Sequence, residues 1–231
     1  ISYCLGDADP RVRIQAAKAL AAYGRPGVDL AKASLSDDRP EVVNAAITAI
    51  REVRSRYASN VLFDYLSPSY TLLAETRRWQ TQMPDHAPSW QALKVAITDY
   101  QDRLIQKVLY VLSALGYART VNAVNRLLAT NAQTELENAV EVLASLNHRR
   151  FVVPLMPLFE SLISSEAAAE PPDEEGDESA REQATRRPAK PASKQPSEVT
   201  PLWLKTEGYR LLLEALESND RWIKSGALIA L

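Results

Sequence analysis

Apolar residues recur at helical spacing along most of the chain, and no stretch alternates as a strand would. The clearest run is Leu93, Ile97, Tyr100, Leu104, Val108, Val111 and Leu115, separated by three or four positions. It predicts one long amphipathic helix, capped by Ser89 and ending at Gly116. A helix is also predicted over Pro10–Tyr23. Asp9 suits the N-cap, Pro10 the first helical position and Gly24 the C′ site, while Val12, Ala16, Ala19, Leu20 and Tyr23 share one face. Residues 28–35 form its expected short partner, and 40–56 with 61–66 the next pair. A separate helix over 69–82 is expected to close at Met83-Pro84-Asp85-His86-Ala87-Pro88, whose prolines break helices. Further helices are expected over 120–128, from a capping box at Thr134 and Glu137 to Leu146, over 149–164, over 200–216, and from Asp220 onward.

One helical pattern returns. Asp9-Pro10-Arg11-Val12-Arg13-Ile14-Gln15-Ala16-Ala17-Lys18-Ala19-Leu20 is echoed by Asp220-Arg221-Trp222-Ile223-Lys224-Ser225-Gly226-Ala227-Leu228-Ile229-Ala230-Leu231. A weaker copy runs from Arg39 to Ile50. A recurring helix signature marks stacked helical pairs. The expected fold is therefore all-α, an α–α superhelix, and stacks of this kind usually bind other proteins.

Residues 166–198 interrupt the pattern. An acidic half (Glu166, Glu170, Asp173, Glu174, Glu175, Asp177, Glu178) precedes a basic, proline-rich half with Arg181, Arg186, Arg187, Lys190 and Lys194. With little apolar surface to offset the entropy of ordering, this reads as one disordered insertion. The expected division is 1–165 repeats, 166–198 insertion and 199–231 a further repeat. Because the last helical pattern reaches Leu231 with no stop signal, the expectation is a piece of a longer protein.

The net charge of −2 offers no overall basic field for nucleic acid, and no apolar run is long enough to span a bilayer. The single cysteine, Cys4, suits a reducing, cytoplasmic compartment. His86, His148 and Cys4 have no metal-ligand spacing, and neither a phosphate-binding glycine loop nor a nucleophile-elbow serine occurs. No catalytic residue, metal or cofactor is expected. Interaction residues are sought instead in Trp222, which stands where the first copy has Arg11, and in Arg11, Arg13, Arg221 and Lys224. These four cations lie in the first turns of their helices, where the macrodipole opposes positive charge. Acidic residues of an adjacent repeat would explain them, and so would an acidic ligand. Trp79, Trp90 and Trp203 fit core packing better than a binding surface.

The signature Asp-Pro-x-Val-Arg-x-x-Ala-x-x-Ala-Leu over Asp9–Leu20 resembles the HEAT repeat in its short bacterial form. A narrower resemblance rests on Arg103-Leu104-Ile105-Gln106-Lys107-Val108-Leu109-Tyr110-Val111-Leu112-Ser113-Ala114-Leu115-Gly116, Leu136-Glu137-Asn138-Ala139-Val140-Glu141-Val142-Leu143 and Arg150-Phe151-Val152-Val153-Pro154-Leu155. In that order these blocks resemble the HEAT region after the membrane domain of bacterial ATP/ADP translocase-like proteins. This implies a cytoplasmic regulatory module that docks a protein partner or neighbouring domains of its own chain. The membrane helices of that family are missing here, and the 166–198 insertion departs from its compact pattern. Short HEAT repeats also occur in phycobilin lyases. The alternative implied is a protein that handles a tetrapyrrole and a protein acceptor.

Overall fold

The computed structural model describes residues 1–84, 88–130, 133–167 and 202–231. Among them the chain is all-α, a helical-repeat fold without strands: α1 (Pro10–Ala22), α2 (Arg25–Lys32), α3 (Pro40–Glu52), α4 (Arg56–Gln82), α5 (Gln91–Leu112), α6 (Ala118–Thr130), α7 (Gln133–Ala144), α8 (Met156–Ala167), α9 (Leu202–Glu217) and α10 (Arg221–Ala230). Short 3₁₀ turns precede α1, α5 and α8, and a π-turn over Ser113–Tyr117 joins α5 to α6.

The two strong sequence copies start alike. The Asp9 carboxylate accepts the Arg11 N–H at 2.8 Å, and Asp220 accepts those of Trp222 and Ile223 at 2.9 and 3.1 Å. Each satisfies donors that a helix start leaves open. The expected buried face of α1 is corrected, however. Ala16, Ala17 and Leu20 are buried, whereas Val12 is 36% and Tyr23 61% exposed. The buried seam of α1 is thus centred on Ala16, Ala17 and Leu20 rather than on Val12 and Tyr23.

Helical pairs stack in sequence over α1 to α4: α1 packs on α3, and α2 on both α3 and α4. Ala17, Leu20, Val28, Ala31, Ala46 and Ile50 are fully buried between them. The later helices fold back. α10 lies along α5 as well as against α9, while α6, α7 and α8 pack in succession. The close approach of α10 to α5 depends on Gly226, where a β-carbon would sit 3.0 Å from the Ala92 carbonyl oxygen and from Leu93 Cα. α5 is accordingly buried on more than one side. Besides the predicted Leu93, Ile97, Tyr100, Leu104, Val108 and Val111, it buries Ile105, Leu109 and Leu112. One contiguous core runs from Leu5 to Ala227.

Two helices expected over 61–66 and 69–82 are a single 27-residue helix, α4, which runs through Pro68. Leu62, Leu66, Leu73 and Trp79 are buried along its length, and this packing outweighs the one backbone hydrogen bond that proline removes. The capping box is also revised: α7 begins at Gln133, so Thr134 is already helical. Residues 166 and 167 extend α8. The rest of the 166–198 insertion lies outside the described residues, as does His86.

Candidate functional site

Two clefts among the described residues have similar volumes, about 770 Å³ each, and different electrostatic characters. One lies where α4 meets α5 and α9. Its Arg78 pairs with Glu214, its Arg103 pairs with Asp220 at 3.1 Å, and Lys107 donates to the Ser69 hydroxyl at 3.2 Å while lying 4.1 Å from the Tyr65 ring centroid. Tyr100 donates to the Ser69 carbonyl at 2.8 Å, and burial pushes its phenol up to about 12. The indole N–H of Trp79 points to Glu214 at 3.3 Å. Both arginines of this cleft are paired with acids, and its polar groups tie helices together.

The other cleft does not. It forms where three turns meet: the α3–α4 junction, the π-turn after α5, and residues 147–150. Five arginines (Arg51, Arg54, Arg56, Arg149 and Arg150) and His148 line it, against one acid, Glu52. Two arginines are held firmly. Arg150 donates to the Ser59 hydroxyl at 2.6 Å and to Asn60 Oδ1 at 2.7 Å, with its guanidinium 5.2 and 5.1 Å from the ring centroids of Phe63 and Phe151. Cation–π contact of this kind fixes a planar cation without discharging it. Arg51 donates to the Ala114 carbonyl at 3.3 Å and approaches Glu52 at 3.3 Å, and its Nε is buried without a partner.

Arg54, Arg56 and Arg149 are exposed, and among the described residues they have no acidic partner. Arg54 is also the only described non-glycine residue with positive φ, at 48°. It follows the C-cap Val53 of α3, the site that glycine normally occupies in a left-handed helix end. An L side chain there costs about 1 kcal/mol in backbone strain. His148 accepts or donates at Nδ1 to the Tyr117 hydroxyl at 2.9 Å. Burial, and then the neighbouring Arg150 charge, hold its imidazole below the usual histidine range.

The interaction residues expected from the sequence fall into two groups on helices with different neighbours. Arg11 is exposed on α1. Arg13 donates to the carbonyls of Asp7 and Ala8 at 2.8 and 3.0 Å, bracing the turn that leads into its own helix. On α10, Trp222 is 49% exposed, the Arg221 guanidinium lies 5.2 Å from its ring, and Lys224 is exposed. Trp79, by contrast, is 1% exposed and belongs to the core. None of the five lines the arginine-rich cleft. The sequence does carry a signal for that cleft: Arg51-Glu52-Val53-Arg54-Ser55-Arg56 and His148-Arg149-Arg150 are concentrated cations in a chain of net charge −2.

Among the described residues no group of three or more His, Cys, Asp and Glu side chains converges as a metal site would, and no helix is long and apolar enough to cross a membrane. Residues 1–79, covering α1 to α3 and most of α4, match the family model of HEAT repeats. No curated protein and no solved structure matches the chain. The chain is thus a helical-repeat protein whose first 79 residues are similar to HEAT repeats.

Proposed function

We propose that this protein is a non-catalytic interaction module that holds a protein partner or a neighbouring domain of its own chain. HEAT repeats commonly mediate protein interactions, and stacked helical pairs expose broad surfaces suited to that work. The observation that carries the reading is the arginine-lined cleft. Three of its cations lack acidic partners among the described residues, whereas in a cleft of equal volume in the same molecule both arginines are paired with acids. The exposed Trp222, with Arg221 and Lys224 beside it, forms a second contact region in this reading.

In its finer form the proposal makes the module a cytoplasmic regulatory region of a membrane nucleotide-transporter-like protein, on the strength of the ordered sequence blocks from Arg103 to Leu155. Hydrophobic spans encoded upstream in the same gene are the expected result. Their absence from the complete gene removes this version and leaves the module.

The test is affinity purification of the tagged chain from its native cells, identification of co-purifying proteins, and reconstitution with the purified candidate. A defined complex with a measurable Kd is expected. Recovery of the chain alone, with no candidate that rebinds, refutes the reading. A bilin titration checks the tetrapyrrole alternative, and no change in the bilin absorption spectrum is expected.

A further inference from the structure

We propose that the arginine-lined cleft takes an acidic peptide segment, a short stretch of extended chain with several carboxylates, presented by the protein partner. The inference rests on the reading of the chain as an interaction module and names the chemistry that one surface of it recognises.

Charge supplies the first argument. The cleft brings five guanidinium groups together with one carboxylate. Its exposed cations without acidic partners among the described residues come from two turns, Arg54 and Arg56 from the α3–α4 junction and Arg149 from residues 147–150, so an anion that spans both relieves their mutual repulsion. Guanidinium is suited to this because its planar fork matches a carboxylate with two parallel hydrogen bonds.

The cleft is also pre-organised. Arg150 is fixed by Ser59, Asn60 and two aromatic rings before any ligand arrives, and Arg51 is tethered to the Ala114 carbonyl. Side chains already ordered lose little entropy on binding. Arg54 adds an independent mark. It keeps a backbone conformation that glycine would adopt without strain, and its side chain lines the cleft. Strain of this kind is tolerated where a side chain has work to do.

Size decides between an extended acidic segment and a lone oxyanion. At about 770 Å³ the cleft falls among those that accommodate ligands of many atoms. A single phosphate or sulfate would satisfy one or two of the arginines and leave the rest unmatched. Several carboxylates along one peptide reach the arginines of both cationic turns.

The experiment is fluorescence anisotropy on the full chain with a labelled peptide of about eight alternating Asp and Glu residues, against the matched Asn and Gln peptide. Saturable binding of the acidic peptide alone is expected, weakening as salt rises from about 50 mM to about 300 mM. Arg54→Gly, Arg56→Ala and Arg149→Ala should each weaken it by about twofold to fivefold, and all three together by about tenfold or more. Lys18→Ala, an exposed α1 substitution outside the cleft, should leave it unchanged. Arg54→Gly is the sharpest variant because it relieves strain: a purely structural residue replaced this way would give a more stable protein with intact binding.

Absence of saturable binding overturns the proposal, including the case in which the chain's own acidic residues already fill the cleft. Equal binding of the amide peptide, an unaffected triple variant, or complete displacement by millimolar inorganic phosphate overturns it as well. If wild type and triple variant capture the same reconstituted partner equally, the interaction-module reading stands and this inference falls. If the peptide binds as expected but no partner is found, the module reading is what fails.

Discussion

Replacing Gly27 by alanine should destabilise the protein by about 3 kcal/mol. Gly27 is the third residue of α2 and faces the end of α1. A β-carbon there would collide with the Leu20 carbonyl oxygen, and it would lie 2.7 Å from that carbonyl's carbon and 3.2 Å from Tyr23 Cβ. Carbon atoms in contact normally stand about 3.5–4.0 Å apart. The helices must therefore separate by roughly 1 Å, and the obstructing atoms are backbone, which cannot swing aside. Overpacking against unyielding atoms costs about 3 kcal/mol. The separation also loosens Val28 and Ala31 from Leu20, all fully buried, and such a gap forfeits a quarter to a half of the contact energy, about 1 kcal/mol here. The better helix propensity of alanine returns about 1 kcal/mol. For a chain of this size the net loss lowers Tm by about 6–12 °C, measurable by far-UV circular dichroism on heating and confirmed in urea. Gly24→Ala is the comparison. Its φ is +66° and its ψ −132°, outside the left-handed α region, with no atom within 4 Å of a β-carbon, so its cost is backbone strain alone, about 1–3 kcal/mol. Gly27→Ala melting at or above wild type refutes the reasoning.

Arg54→Gly should raise stability by about 1 kcal/mol, a Tm gain of about 2–4 °C, because glycine occupies the left-handed conformation without strain; a lower Tm would show that the arginine side chain supports the fold. Tyr70→Phe removes the hydroxyl that donates to the Phe151 carbonyl at 2.7 Å and leaves that acceptor without this bond, so a loss of about 1–2 kcal/mol is expected in urea unfolding. The stability contributed by His148 has a defined sign. Its folded pKa is lowered by burial and by Arg150, so the folded protein binds fewer protons. That contribution is complete above the ordinary histidine value of about 6.5 and is lost as pH falls through the lower folded value. His148→Gln should flatten this part of the acid limb in a series of urea titrations from about pH 7.5 to about pH 5.

What the sequence made legible was local. Asp9 and Asp220 announce helix starts because a short carboxylate before an apolar run can hold the open backbone N–H groups; Asp9 caps as expected, and Asp220 does the same. The core positions of α5 could be read because spacings of three and four repeat without interruption. The continuity of α4 could not: Pro68 is a breaking signal locally, and only the burial of Leu62, Leu66, Leu73 and Trp79 against other elements overrides it. The arginine cleft was hidden for a related reason. Its residues belong to turns centred near 54, 115 and 149; cations cluster at the first and last, but nothing local says that the two clusters meet. Only packing reveals that their cations share one space. The pairing of α10 with α5 likewise spans more than a hundred residues and leaves no mark in periodicity, although Gly226 is its structural requirement.

The continuous α4 has a mechanical consequence. At 1.5 Å per residue its 27 residues form a beam about 40 Å long. Its leading turn carries Arg56 and Ser59 of the cationic cleft, and near its far end Arg78 and Trp79 are fastened to Glu214 of α9. Pro68, near the middle, deletes a rung of the hydrogen-bond ladder, so flexure concentrates there rather than spreading evenly. The two ends of the beam, one at the cationic cleft and one at α9, are thus joined by a single element whose softest point lies between them.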